Sequence, residues 1–154
     1  MEGRAVPAQY SAHARQIALI AESYERLLGE TLIDCADPVA ALWDAKPAIV
    51  AHGTQADPLF FFGNRTALDL FETDIATFTA LPSRMSAEAP LREEREMLMD
   101  RVRARGFIDD YSGVRISLIG RRFRIERATV WNLVDPSGAV HGQAAAFEDW
   151  TFLR

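Results

Sequence analysis

Lysine is nearly missing from this chain: Lys46 stands alone among 17 basic residues, and arginine supplies all the other positive charge. Arginine suits bidentate anion contacts, but a bias this uniform reflects genomic composition before it reflects a binding task. The net charge of -5 at pH 7 argues against a general nucleic-acid binder. Cysteine is as scarce. Cys35 on its own excludes an internal disulfide and any zinc site built from several cysteines. It sits in a loop without a nearby sequence partner, which gives catalysis from it little support. No window approaches the roughly 18 uninterrupted apolar residues of a membrane span, and "MEGRAVPAQYSAHARQ" lacks the apolar centre of a signal peptide. A cytoplasmic protein with no membrane partner is the expectation. A nucleophile motif, a phosphate loop and a metal triad are absent too.

What is present suits one domain over residues 1–154, with 49% of the side chains hydrophobic. Residues 11–29 predict an opening helix: Ser11 can cap it, Ile17, Ile20, Tyr24, Leu27 and Leu28 form one apolar stripe, and Gly29 can end it. Residues 37–45 predict a short helix capped by Asp37, with Pro38 where a missing N–H costs least. Two strands, 48–52 and 59–62, flank the turn residues "GTQADP". Asn64 and Asp74 can cap two brief helices, and a longer helix covers about 90–105, with Pro90 at its start and arginines in its last turn. The last third reads as strand throughout: 107–119, 121–134 and 139 to about 152, the latter two joined by "DPSG". This order predicts an α+β domain whose antiparallel sheet is covered on one face.

The stretch "FIDDYSGVRISLIGRRFRIERATVWNL" carries eight charged side chains in two strands. Alternation puts Ile108, Val114, Ile116 and Leu118 on one face, and Phe123, Ile125, Trp131 and Leu133 on the matching face of the next strand. A tight turn at Gly120 and Arg121 makes those faces coincide. Arg115, Arg122, Arg124, Glu126 and Asp109 then belong outside, in cross-strand ion pairs. Asp110, Arg127 and Thr129 fall on the apolar side. Continuing the register sets Gly142, Ala144 and Ala146 across from Trp131, Thr129 and Arg127, leaving volume for a bulky neighbour or a ligand. A bulge in the turn would instead put His141, Gln143, Ala145 and Phe147 inside.

The residues "AHGTQADPLFFFGNRTALDLFE", "LPSRMSAE", "REER" and above all "GFIDDYSGVRISLIGRRFRIERATVWNLVDPSGAVHGQAA" resemble the MEKHLA domain family. That is a PAS-like domain found at the C-terminus of plant class III homeodomain-leucine-zipper proteins and as free-standing bacterial proteins, of which this chain looks like one. The resemblance covers most of residues 15–150. It implies a five-stranded antiparallel sheet with helices on one face, enclosing a small-molecule cavity or a packed core, with the first helix as an extension. It implies sensing, cofactor binding or dimerisation, and no reaction. Nothing here resembles an output domain, so a signal would leave through a partner. The flavin-adduct branch of PAS domains needs a cysteine directly after its motif asparagine. Here Arg65 follows Asn64, which does not support that photochemistry. Haem is disfavoured because His13, His52 and His141 fall at a helix start or on strands.

Several roles follow for the polar residues. Arg127 offers a fork to a small organic, anionic ligand, with Asp110 and Thr129 orienting it beside Trp131. Equally open is that Arg127 and Asp110 pair with each other or with nearby polar groups. Asn64, Tyr111 and His52 complete the candidate ligand site, with Arg65 as a minor addition, although Asn64 also reads as a cap and His52 as a structural histidine. Asp109 and Asp110 point to opposite faces and cannot share a proton. Three functions remain: a small-molecule sensor with a homodimer or partner contact through the first helix; a small enzyme using Asp110, Tyr111, Arg127 or His52; and an interaction module with a filled core.

Overall fold

Pro38 and the caps Asp37, Asn64 and Asp74 start helices where the sequence places them: each cap side chain accepts a backbone N–H three residues on. The computed structural model describes residues 6–33, 36–86 and 92–153; Cys35 and Pro90 lie outside them. Along the chain run α1 (Ala8–Ser11), α2 (Ala14–Leu28), α3 (Pro38–Asp44), β1 (Ala48–His52), β2 (Phe60–Gly63), α4 (Arg65–Phe71) and α5 (Ile75–Phe78). A 3-10 turn (Ser83–Ser86), α6 (Arg92–Arg105), β3 (Phe107–Ile116), β4 (Arg122–Val134), β5 (Val140–Phe147) and β6 (Asp149–Phe152) follow. The expected first helix is two pieces, because Ser11 closes α1 and His13 stands at the start of α2. Gly29 ends α2 in the left-handed conformation, at φ 76°.

Among the described residues the antiparallel sheet runs β2-β1-β5-β4-β3, with β6 pairing along the first half of β4. The expected single last strand is thus two, parted at Glu148. The β3 strand stops at Ile116 rather than 119, because the buried Ser117 hydroxyl accepts the backbone N–H of both Ile119 and Arg121 and holds a wider turn. Leu118 is therefore outside the strand and partly exposed.

Helices pack on both faces of the sheet, leaving the outer side of β6 and of the adjoining parts of β3 and β4 exposed. On one, α4, α5 and α6 bring Phe71, Phe78, Leu98 and Val102 over Phe60, Ile108, Phe123, Ile125 and Val130; Phe60 and Phe78 stack with centroids 4.3 Å apart. On the other, α1 and α2 cover Phe62, Trp131 and Leu133. Tyr10 lies 4.7 Å from Phe62, Tyr24 stands edge-on to Trp131 at 4.9 Å, and the Trp131 indole N–H donates to the Ile20 carbonyl at 3.0 Å.

Two compensating bulges overturn the constant alternation expected in the hairpin. Ile108 pairs with Val130 and Tyr111 with Ala128, so β3 holds one extra residue there. Gly113 then pairs with Ile125, so β4 holds the next extra residue, around Arg127 at φ 54°. Each bulge reverses the parity of its strand. On β4, Phe123 and Ile125 face the helices α4–α6, and so do Ala128 and Val130, while Trp131 and Leu133 turn to α2. On β3, Ile108 is followed on the same face by Tyr111, Gly113 and Arg115. A third irregularity lies in the β4–β5 turn, where Val134 pairs with Val140 but Leu133 with Gly142. Gly142, Ala144 and Ala146 therefore oppose Leu133, Trp131 and Thr129 on the α2 side. Gln143, Ala145 and Phe147 take the inner face, as the bulged alternative requires, but His141 does not: its ring is exposed, 2.7 Å from the Asp135 carboxylate. A Cβ at Gly142 would collide with the His52 carbonyl of β1, so only glycine lets the two strands approach here.

Candidate functional site

The inner face of the sheet and the elements over it enclose a cavity of about 60 Å³. Its apolar wall comes from Val50, Phe60, Phe71, Leu98, Ile125, Val130, Ala145 and Phe147. Its polar side comes from His52, Ser83, Ser86, Tyr111, Arg115 and Gln143. At roughly 10–15 Å³ for each water position, such a space takes about four waters or a ligand group of that size. Pockets that bury drug-sized ligands run to roughly 300–1,000 Å³.

Tyr111 is 7% exposed, and among the described residues its buried hydroxyl has no hydrogen-bond partner. An unmet buried hydroxyl costs about 1–3 kcal/mol. The side chain lies over Gly113, where a Cβ would strike that hydroxyl. The Arg115 guanidinium carbon sits 5.2 Å from the centre of the Tyr111 ring, a cation–π distance, and Nη1–H donates to the Val114 carbonyl at 3.0 Å. Among the described residues Arg115 has no carboxylate partner, and no aspartate or glutamate lines the cavity. The His52 Nδ1 lies 3.0 Å from the Gly53 carbonyl. Ser86 donates to the Ser83 carbonyl at 2.7 Å, which ties the 3-10 turn into the wall.

Of the seven residues singled out from sequence, Tyr111 and His52 line this cavity. Asp110 and Arg127 do not face inward: the bulges rotate both to solvent, where Asp110 pairs with Arg101 at 3.0 Å and Arg127 with Asp149 at 2.9 Å. They do not pair with each other. Thr129 shares an open outer groove with Arg127, Tyr24 and Thr31. Trp131, fully buried, is roofed by α2 instead of bordering the cavity. Asn64, also fully buried, accepts from Ile49 N–H and Ala67 N–H, both at 3.0 Å, and donates to the carbonyls of Leu42 at 3.1 Å and Pro47 at 2.8 Å. It stitches α3, β1 and α4 together and has little left for a ligand. Arg65 pairs with Asp44 at 2.7 Å. Arg115, placed outside by strict alternation, is the residue that sequence reasoning missed. The signal that could have found it is Gly113 in mid-strand two residues after Tyr111, a mark of a bulge. Ser83 and Ser86 carried no signal at all.

An antiparallel sheet of this order, with short helices packed between its second and third strands and a cavity beneath them, defines a PAS-like domain. Solved structures agree on that fold. The PAS domain of a protein from Colwellia psychrerythraea matches with a TM-score of 0.59 at 15% identity, over 73% of this chain and 91% of that one. A Light-Oxygen-Voltage domain studied with a flavin analogue matches at 0.56 and 16% identity, over 75% of this chain and 84% of that one. The family model of the MEKHLA domain matches residues 14–152, and the chain belongs to that family. Its relatives include the homeobox-leucine zipper proteins HOX10 of Oryza sativa, 27% identical over 139 residues, and ATHB-14 of Arabidopsis thaliana, 29% identical over 114. The match takes in 87% and 73% of this chain but only 17% and 13% of those plant proteins. A flavin does not fit the cavity as it stands, since about 60 Å³ is a fraction of what such a ring system fills and Asn64 is committed to backbone. Among the described residues no helix is long and apolar enough to cross a membrane, and no group of His, Cys, Asp and Glu is placed to hold a metal ion.

Proposed function

We propose that this domain is a sensory or regulatory module that reads a small molecule in the cavity between the sheet and α4–α6. The observation that carries the reading is the buried Tyr111 hydroxyl, a donor without a partner among the described residues, in a cavity that already has room for a few atoms. A packed interaction module would have no reason to leave that space beside a polar group. The output leaves through a partner or a second copy. Such a contact falls to the solvent side of α2, since Ile17, Ile20 and Ser23 are spent on the sheet.

Ligand-observed NMR against a panel of small water-soluble metabolites tests the reading. The expected result is a compound that binds the protein, is recovered unchanged, and no longer binds when Ala145→Leu fills the cavity. Turnover of the compound would make the domain an enzyme; no binder at millimolar concentration, or binders indifferent to Ala145→Leu, would overturn the cavity as the site.

A further inference from the structure

Among the described residues Arg115 is the only permanent charge on the cavity wall, and it has no counter-ion. The arginines for which an ion pair is described, Arg65, Arg84, Arg101, Arg103, Arg121 and Arg127, each reach an acid that does not line the cavity. One of the five guanidinium N–H groups of Arg115 goes to the Val114 carbonyl, so donors remain beside the Tyr111 ring. On the same inner face of the sheet Val50, Ile125 and Val130 offer only hydrocarbon.

From this juxtaposition we infer that the domain's ligand is a short-chain carboxylate, of about four or five non-hydrogen atoms, held at its oxygens by Arg115 and Tyr111. This deepens the reading of the cavity as the ligand site and rests on it. The size follows from the volume, which takes about four water-sized groups. The charge follows from a cation in a wall that has no carboxylate among the described residues, because a planar guanidinium recognises a carboxylate through parallel N–H bonds. The apolar wall gives a methyl or ethyl tail its place and disfavours an oxyanion with no hydrocarbon, such as nitrate. Gln143 also lines the cavity, as a polar group for a second substituent.

Isotope-labelled protein titrated with sodium acetate and sodium propionate, followed by amide and arginine side-chain NMR shifts, tests the assignment. Acetamide serves as the neutral isostere, and sodium nitrate and sodium chloride as the ionic controls. The expected result is saturable shifts at Tyr111, Arg115, Val130 and Ala145 with either carboxylate, and binding of acetamide at least about tenfold weaker. Arg115→Met should weaken acetate by about tenfold or more and Tyr111→Phe by about threefold to tenfold. Where Arg115→Met fails to fold, Arg115→Gln and the ring-preserving Tyr111→Phe carry the same comparison. Acetamide matching acetate, nitrate matching propionate, no saturable shift at all, or full affinity in the arginine variants would overturn the proposal. Ala145→Leu separates the two readings. If it abolishes binding of acetate and acetamide alike, with equal prior affinities, the cavity stands and the carboxylate falls; if acetate binding ignores it, the cavity itself is not the site.

Discussion

Asn64 and Tyr10 show how much of the fold rests on single buried polar groups. The Asn64 amide meets five backbone partners, in α3, the Ala45–Pro47 turn, β1 and α4, so Asn64→Ala leaves donors and acceptors in the interior unpaired. The expected cost is about 3 kcal/mol or more, read as a lower urea midpoint at unchanged m-value. Asn64→Asp keeps the acceptor but aims a carboxylate at three carbonyls, and should be no milder. The Tyr10 hydroxyl donates to the Gly63 carbonyl and accepts the Gly63 N–H, both at 3.0 Å. Burial pushes its phenol up to about 12. The unfolded chain releases this proton near pH 10, and the folded protein holds it. The contribution is therefore complete below pH 10 and lost as pH rises through about 12, with a total of order 2–3 kcal/mol. Tyr10→Phe should lower stability at neutral pH by about 1–2 kcal/mol and flatten that alkaline decline, which thermal melts from pH 8 to 11.5 would register. The capping role of Asn64 was legible, because Asn before a helix accepts an N–H three residues on. Its donor role was not, since the convergence of the Leu42 and Pro47 carbonyls is a matter of tertiary placement.

At the scale of the element, the hairpin of β3 and β4 is where local rules mislead. Strand existence, helix caps and the β1–β2 pair follow from turn residues and apolar runs that are local in sequence. Facing does not, because one extra residue reverses everything beyond it, and β3 and β4 each carry one. Arg127 looks buried only if alternation is unbroken; the left-handed backbone at φ 54° is what breaks it. An arginine tolerates that conformation at a cost of about 1–3 kcal/mol, and its surface pair with Asp149 returns little. Arg127→Gly is therefore expected to be neutral or stabilising by up to about 1 kcal/mol, whereas the β-branched Arg127→Val should destabilise by about 1–2 kcal/mol. Chemical denaturation of the two variants checks this. A residue holding a buried partner would behave in the opposite order.

For the whole molecule, helices lie on both faces of the sheet, while the outer side of β6 and of the adjoining parts of β3 and β4 stays open. The sequence predicts helices covering one side, with the first helix as an appendage available for a partner. The appendage is a roof: Ile17, Ile20 and Ser23 of α2 are buried, and the Ser23 hydroxyl and the Val134 backbone exchange hydrogen bonds at 2.8 and 3.1 Å. The apolar stripe of α2 was plain in sequence, but which surface it meets depends on Trp131 facing outward, and that depends on the bulge in β4. Removing residues 6–29 should expose Phe62, Trp131 and Leu133 together. The expected outcome is loss of cooperative unfolding and of near-ultraviolet circular dichroism, rather than a stable core lacking one helix. A truncated chain that still melts cooperatively would show α2 to be dispensable.

The parity switch in β4 brings the layers on the two faces of the sheet within one residue of each other. Val130 borders the cavity and Trp131 lies beneath α2, so the interior pocket and the outer helix are separated by one peptide unit, about 3.8 Å of backbone. The Trp131 indole N–H is in turn hydrogen-bonded to the Ile20 carbonyl of α2. If the cavity is the ligand site, an occupant pressing on Val130 should alter the emission of Trp131, read in a Trp43→Phe, Trp150→Phe background. Unchanged emission on binding would show that the strand does not act as a lever between pocket and helix.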